Sequence, residues 1–144
     1  MLRGIANVRF HTSDLEAAKR WYTEALGVAP YFERPGYAEF RFGDHQQELG
    51  LVDRRYLSFL GSPPSAGTEP AGAVAYFQVE DVRAAEERLI AMGAARREPP
   101  RELTGGFAVA AVVDPFGNLL GLMHSPHSLE GLSPKSPAST GTTG

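Results

Sequence analysis

Apolar and polar positions alternate along the chain in a pattern that runs once, breaks, and starts again. Residues Ile5 to Thr12 put Ala6, Val8 and Phe10 on one face and Asn7, Arg9 and His11 on the other, which predicts a strand buried on one side only. Ser13 and Glu16 stand at capping-box spacing, so a helix is expected to start there and to stop at Gly27. It would bury Leu15, Ala18, Tyr22 and Ala25. Ala29–Arg34, Tyr37–Phe42 and Glu48–Val52 follow as short strand candidates, separated by Pro35-Gly36 and Gly43-Asp44-His45.

From Arg54 to Gly72 the periodicity gives way to Gly, Ser and Pro, interrupted by Tyr56-Leu57 and Phe59-Leu60. Then Ala73–Val79 alternates, and Glu80-Asp81 caps a helix that buries Val82, Ala85, Leu89 and Met92 before Gly93. Ala95–Glu98, Phe107–Val113 and Leu119–His124 complete the second run, with Pro99-Pro100 and Gly105-Gly106 as breaks. Both helices bury positions i, i+3, i+7 and i+10, and Asp14-Leu15-Glu16-Ala17-Ala18 aligns with Asp81-Val82-Arg83-Ala84-Ala85. The chain is an internal repeat. Its last two strands are hinged on Asp114-Pro115-Phe116-Gly117-Asn118, which matches the residue preferences of a type I turn.

The predicted fold class is therefore α+β, two βαβββ modules forming curved mixed sheets around a cleft. The first module spans 1–53, a linker 54–72, the second module 73–124 and a flexible C-terminal tail 125–144. A helix covers only one face of its sheet, so the faces bearing Asn7, Arg9 and His11 and their counterparts must pack together or curve around a ligand.

Composition narrows the class. At 144 residues, 42% hydrophobic and 22% charged, the chain is an ordinary globular domain with room for a core. The absence of Cys removes thiolate nucleophiles, disulfides and Cys-ligated zinc. A net charge of −3 without a basic run argues against nucleic acid, and no apolar run is long enough for a membrane span. A cytoplasmic location is expected, with no membrane partner.

Paired βαβββ modules resemble the vicinal oxygen chelate superfamily, which includes glyoxalase I, extradiol dioxygenases, fosfomycin-resistance proteins and bleomycin-binding proteins. The likeness is carried by Ser13-Asp14-Leu15-Glu16-Ala17-Ala18 with Trp21-Tyr22 and Leu26-Gly27, and by Asp114-Pro115-Phe116-Gly117-Asn118-Leu119-Leu120. In the enzymes of that family the resemblance implies a divalent metal held by one residue from each of four strands. The corresponding positions here are Asn7, Glu48, Val74 and Gly121. Only Glu48 is retained as a credible ligand, since Val and Gly side chains offer no donor. No metal and no other cofactor is expected, although a displaced divalent site stays open.

Each candidate site residue has two readings. His11 is either a general base or a solvated strand-end histidine. Glu48 is either a proton carrier in an apolar cavity or the partner of Arg9 in a structural ion pair, with the pair weighed ahead. Asn7, Tyr76 and Gln78 either bind ligand polar groups or one another. Gly50 and Val74 complete the cleft walls, Arg9 supplies a cation for a carboxylate or phenolate, and Gly121 leaves empty volume where a ligating side chain would stand. Trp21 and Tyr22 are read as core, and His45, His124 and His127 as no metal site unless they cluster.

The function this favours is metal-free binding of a small molecule, as in sequestration of an antibiotic or metabolite, by a homodimer. The alternative is a glyoxalase-like lyase, isomerase or dioxygenase with an atypical or metal-independent site at His11 and Glu48. A third reading makes the repeat chiefly a dimerisation scaffold.

Overall fold

The order strand, helix, strand, strand, strand occurs twice in the computed structural model, which describes residues 1, 3, 5–57 and 74–126. The first run is β1 (Val8–Thr12), α1 (Leu15–Leu26), β2 (Phe32–Arg34), β3 (Tyr37–Phe42) and β4 (Gln47–Asp53). The second is β5 (Ala75–Gln78), α2 (Val82–Ala91), β6 (Ala95–Glu102), β7 (Ala108–Val113) and β8 (Leu119–His124). Most of the expected linker, including Phe59-Leu60, and the expected tail from His127 onward lie outside the described residues. The described start of that linker is not loose chain. Arg54–Tyr56 form a 3₁₀ turn, and Leu57 packs with Tyr37 and Val52 into a small second core.

Local chemistry explains most boundaries. Asp14 caps α1 by accepting the Ala17 amide at 3.0 Å, and Asp81 does the same for Ala84 at 3.1 Å, so the helix starts are equivalent. The expected Ser13/Glu16 capping box is thus displaced by its neighbour: Asp14 takes the role given to Ser13. Gly27 closes α1 in the left-handed conformation at φ 71°. β4 gains one residue at each end over the expected Glu48–Val52, and β6 runs four residues further than expected, through Pro99-Pro100. β6 lies at a sheet edge, and its register shifts between Glu98 and Arg101, so the missing proline amides interrupt no ladder on both sides.

Two four-stranded mixed sheets result, ordered β1-β4-β3-β2 and β5-β8-β7-β6, with β1/β4 and β5/β8 parallel. Arg9 lies opposite Gly50 in the first parallel pair, and Tyr76 lies opposite Gly121 in the second. The repeat therefore equates Arg9 with Tyr76 and Gly50 with Gly121. This corrects the position assigned to Glu48. Two residues before Gly50, it is the repeat partner of Leu119 and not of Gly121.

The helix-side faces of both sheets share one core, with Phe10, Phe40, Leu49 and Leu51 from the first half and Val112, Leu120 and Leu122 from the second. Trp21 and Tyr22 belong to it as expected, and the Trp21 indole donates to the Met92 carbonyl at 2.8 Å. Phe77 of β5 packs against Phe10 and Phe42, with ring centroids 6.4 and 5.8 Å apart. The helical spacing missed one fully buried position. Glu86 on α2 is paired with Arg96 of β6 through contacts of 3.0 and 3.1 Å.

The Asp114–Asn118 turn joins the halves. One Asp114 oxygen accepts the Phe116 and Asn118 amides, and the other accepts the Tyr22 hydroxyl and the Asn118 side chain. Asn118 in turn brackets the main chain of His11, accepting its N–H at 3.2 Å and donating to its carbonyl at 2.9 Å. It thereby satisfies the edge of β1 as a neighbouring strand would.

Candidate functional site

Alternation along β1, β3 and β4 decides which side chains share the face turned away from the core. Val8 and Phe10 point into the core with Leu49, Leu51 and Phe40, so Arg9, His11, Tyr37, Glu39, Arg41, Glu48 and Gly50 share the opposite face. Tyr37 is its centre. Its ring occupies the space that a Cβ on Gly50 would need, with ring carbons and hydroxyl 2.8–3.1 Å from that position. Asn7 donates to the Tyr37 hydroxyl at 3.2 Å, and that hydroxyl donates to Glu39 at 2.7 Å. The Arg9 guanidinium lies 5.3 Å from the ring centroid, a cation–π contact. Burial, then the bond to Glu39, push the Tyr37 phenol up to about 12, while Arg9 and Asn7 pull the other way. Tyr37 is thus a neutral hydrogen-bond donor rather than a proton carrier.

Asn7, Arg9 and Gly50 are therefore brought together, around a residue that the sequence reading did not single out. Glu48 is engaged differently from the expectation. Its carboxylate pairs with Arg41 at 3.1 Å, and not with Arg9, because the antiparallel register sets Arg41 directly opposite Glu48. The Arg41 guanidinium also lies 3.9 Å from the centroid of the exposed Tyr31 ring. His11 is held below the ordinary imidazole range, first by burial and then by the nearby Arg54 charge. A neutral imidazole on this face can accept a proton or a hydrogen bond.

The corresponding face of the second sheet carries Val74, Tyr76, Gln78, Leu119 and Gly121. Gln78 is occupied with the main chain of Ser125, accepting its amide at 3.1 Å. Gly121 does not leave the empty volume expected of it. Tyr76 ring atoms stand 2.5–2.8 Å from where its Cβ would be, so the aromatic side chain directly across the strand pair has taken the space. Charge separates the two faces over three of the four strands, whereas on the edge strand β6 Glu98 lies opposite Ala111 and Arg101 opposite Val109. Where the first sheet has Arg9, Glu39, Arg41 and Glu48, the repeat-equivalent positions of the second are Tyr76, Ala111, Val113 and Leu119.

Two hollows of the described surface lie elsewhere. One of about 260 Å³ is bounded by the start of α1, Gly36, Asp53 and Tyr56, and one of about 640 Å³ by the start of α2, Arg101–Leu103 and His124. They are repeat equivalents, since Asp14 matches Asp81 and Asp53 matches His124. Neither contains the predicted cleft residues.

The four positions implied for a divalent metal do not make a donor set in this chain. Val74 and Gly121 have no donor atom and Glu48 is paired with Arg41, which leaves the Asn7 carbonyl oxygen, whose NH2 neighbour donates to Tyr37, as a single donor where several must converge. Among the described residues no group of three or more His, Asp or Glu side chains is placed to hold an ion. His124 contacts the Val79 carbonyl at 3.2 Å, and His127 lies outside the described residues.

Comparison with known proteins agrees with the architecture. A glyoxalase-related enzyme from Fulvimarina pelagi is 24% identical, with a TM-score of 0.68 over 87% of this chain and 90% of its own. A glyoxalase/bleomycin resistance protein/dioxygenase from Nocardioides is 26% identical, with a TM-score of 0.61 over 86% of this chain and 84% of its own. A glyoxalase/bleomycin resistance protein/dioxygenase family enzyme from Burkholderia phytofirmans is 18% identical, with a TM-score of 0.68 over 83% and 96%. No curated protein sequence matches the chain. The model of one family matches residues 4–122, and on that match the chain belongs to the Glyoxalase/Bleomycin resistance protein/Dioxygenase superfamily.

Proposed function

We propose that this member of the superfamily is a metal-free, small-molecule binding protein that sequesters an antibiotic or metabolite as a cytoplasmic homodimer. The observation that carries the reading is the fate of the inherited metal positions. Val74 and Gly121 have no donor atom, the second being covered by Tyr76, and the first-half equivalent of Gly121 is Gly50, which has none either, so that Asn7 alone of these four carries one. The open faces carry groups suited to an organic ligand: the Arg9 cation, the neutral His11 imidazole and the exposed apolar surface around Tyr76. The homodimer is supported by Val74, Tyr76 and Leu119, which stay exposed on the second sheet and which a second copy could cover.

Elemental analysis of protein purified without chelators tests the reading directly. Far less than one equivalent of Zn, Ni, Fe or Mn is expected. Near one equivalent, lost in Glu48→Ala, overturns it in favour of a metal-dependent enzyme. Sedimentation at micromolar concentration should give a dimer mass, and a monomer mass removes the homodimer from the proposal.

His11 supports a second reading, a metal-independent isomerase or lyase with His11 as base. Its main chain is clamped on both sides by Asn118 and its imidazole is kept neutral. Catalysis lost in His11→Gln with ligand binding retained would favour that reading over sequestration.

A further inference from the structure

We infer that Asn118 is a positioning residue for His11: the last turn of the second module presets an imidazole of the first through the His11 main chain, an inference that rests on the reading of His11 as a base. His11 is the last residue but one of β1, an edge strand bonded to β4 on one side only. Among the described residues neither ring nitrogen has a hydrogen-bond partner, so nothing orients the imidazole through its own atoms. What holds it is the backbone. Asn118 accepts the His11 N–H and donates to the His11 carbonyl, while the next side chain, Thr12, bonds its hydroxyl to the main chain of Asp14. The peptide groups on both sides of the His11 Cα are thereby fixed, and with them the direction in which the side chain leaves the strand. Asn118 is held in turn by Asp114, which accepts its amide at 2.7 Å and its side chain at 2.9 Å.

The repeat argues that this bracket is not a requirement of the fold. His11 corresponds to Gln78 of β5, and the turn of Asp114 and Asn118 corresponds to the turn at 43–46. Gln46 bonds back to Gly43 within that turn, and among the described residues no side chain bonds the Gln78 main chain. The same architecture therefore brackets one strand edge from across the module boundary and does without the bracket at its equivalent. The bracketed edge is the one that carries the candidate base. The competing explanation is that Asn118 only satisfies the edge of β1, which predicts a loss of stability and no change at the imidazole. The charges on the side of the imidazole are Arg54 from the 3₁₀ turn and Arg9 from its own strand, while Val52 opposite it on β4 is neutral and Asp114 stands behind Asn118. Freeing His11 to turn aside relieves its burial and its approach to Arg54, and both changes raise its affinity for a proton.

NMR of the isotope-labelled full chain separates these accounts, with the His11 ring titration and the exchange of its amide followed together. In the unaltered chain the imidazole titrates below 6.5. Asn118→Ala should move that midpoint up toward 6.5 and speed exchange of the His11 amide about five- to tenfold, as expected for one lost hydrogen bond. Val82→Ala is the control for lost stability alone, since this buried residue starts α2 beside His124, at the other end of β8 from the turn, and it should leave the midpoint in place. Asn118→Ser, too short to bridge both main-chain groups, should shift the midpoint the same way by less, and it serves if the alanine variant fails to fold. An unchanged midpoint in the Asn118 variants, or an equal shift in Val82→Ala, overturns the positioning role and leaves Asn118 as a closure of the strand edge. Neither readout involves catalysis, so this failure is distinct from the failure of His11 as a base, which His11→Gln decides.

Discussion

The Tyr22 hydroxyl donates to the Asp114 carboxylate at 2.5 Å, across 92 positions of sequence, and so ties the first helix to the last hairpin. The contact is buried, and burial together with the Asp114 charge raises the Tyr22 phenol far above its ordinary range. A proton transfer between the two is therefore not in play, and the bond is a structural latch.

Tyr22→Phe keeps the ring in the core and removes only that donor, leaving Asp114 with its three remaining donors. The expected cost is about 1.5–3 kcal/mol, the range for a hydrogen bond to a charged group. Urea unfolding should show it as a lower midpoint at unchanged slope. Asp114→Ala removes the acceptor for all four donors, including both turn amides, and should cost more. Equal losses would mean that the turn is held by Pro115 and Gly117 alone.

Glu86 and Arg96 supply a second test of buried polar chemistry. The carboxylate is fully buried and the guanidinium reaches it from the rim of the sheet. Arg96→Met strands a buried acid, whereas Glu86→Leu combined with Arg96→Met leaves no buried charge behind. The single substitution should lower the melting temperature more than the double one. The reverse order would show that the pair is worth more than its desolvation.

Much of this architecture was legible in the chain, and the exceptions have physical causes. The two helices and the repeat could be read because apolar spacing and Asp caps are local signals. The alternation in Tyr37-Ala38-Glu39-Phe40-Arg41-Phe42 already sorts Tyr37, Glu39 and Arg41 onto the face of Arg9, and it was the available signal for the residues that organise the site. Partnership was not legible. Whether Glu48 meets Arg9 or Arg41 depends on strand register, and a glycine does not announce whether its space is empty or filled from the next strand. Glu86 was missed for a related reason: an acid on the core side of a helix is recognisable only once its cation is in place.

His11 should make stability fall on the acid side. Its imidazole is held below the ordinary value of 6.5 in the folded chain, so the unfolded chain takes up a proton first as pH drops. The loss begins as pH passes below 6.5 and levels off once the folded imidazole is protonated too. His11→Gln should flatten that part of the curve between neutral pH and about pH 5, measured by chemical denaturation at each pH. An unchanged slope in the variant would show that His11 titrates alike in both states.

The two glycines under tyrosines should respond oppositely to the same change. Neither Gly50 nor Gly121 has a positive φ, so alanine is allowed by the backbone at both, and only the overlying ring opposes it. At Gly50 the added Cβ would stand 2.8 Å from Tyr37, which is buried and bonded to Asn7 and Glu39 and cannot move without breaking those bonds. Gly50→Ala should therefore cost about 1–3 kcal/mol from overpacking, with the lost hydrogen bonds in addition. At Gly121 the Cβ would stand 2.5 Å from Tyr76, but that ring is half exposed and can rotate into solvent. The loss there is one cross-strand contact of about 0.2–1 kcal/mol, offset by the 0.4–1 kcal/mol or so that alanine gains over glycine by restricting the unfolded chain. Gly121→Ala should thus be nearly neutral in melting temperature while Gly50→Ala is clearly destabilised. Gly121→Leu, bulkier still, should stay folded and, on the small-molecule reading, weaken ligand binding at this face. If Gly121→Ala costs as much as Gly50→Ala, Tyr76 is locked as firmly as Tyr37 and its ring cannot turn aside into solvent.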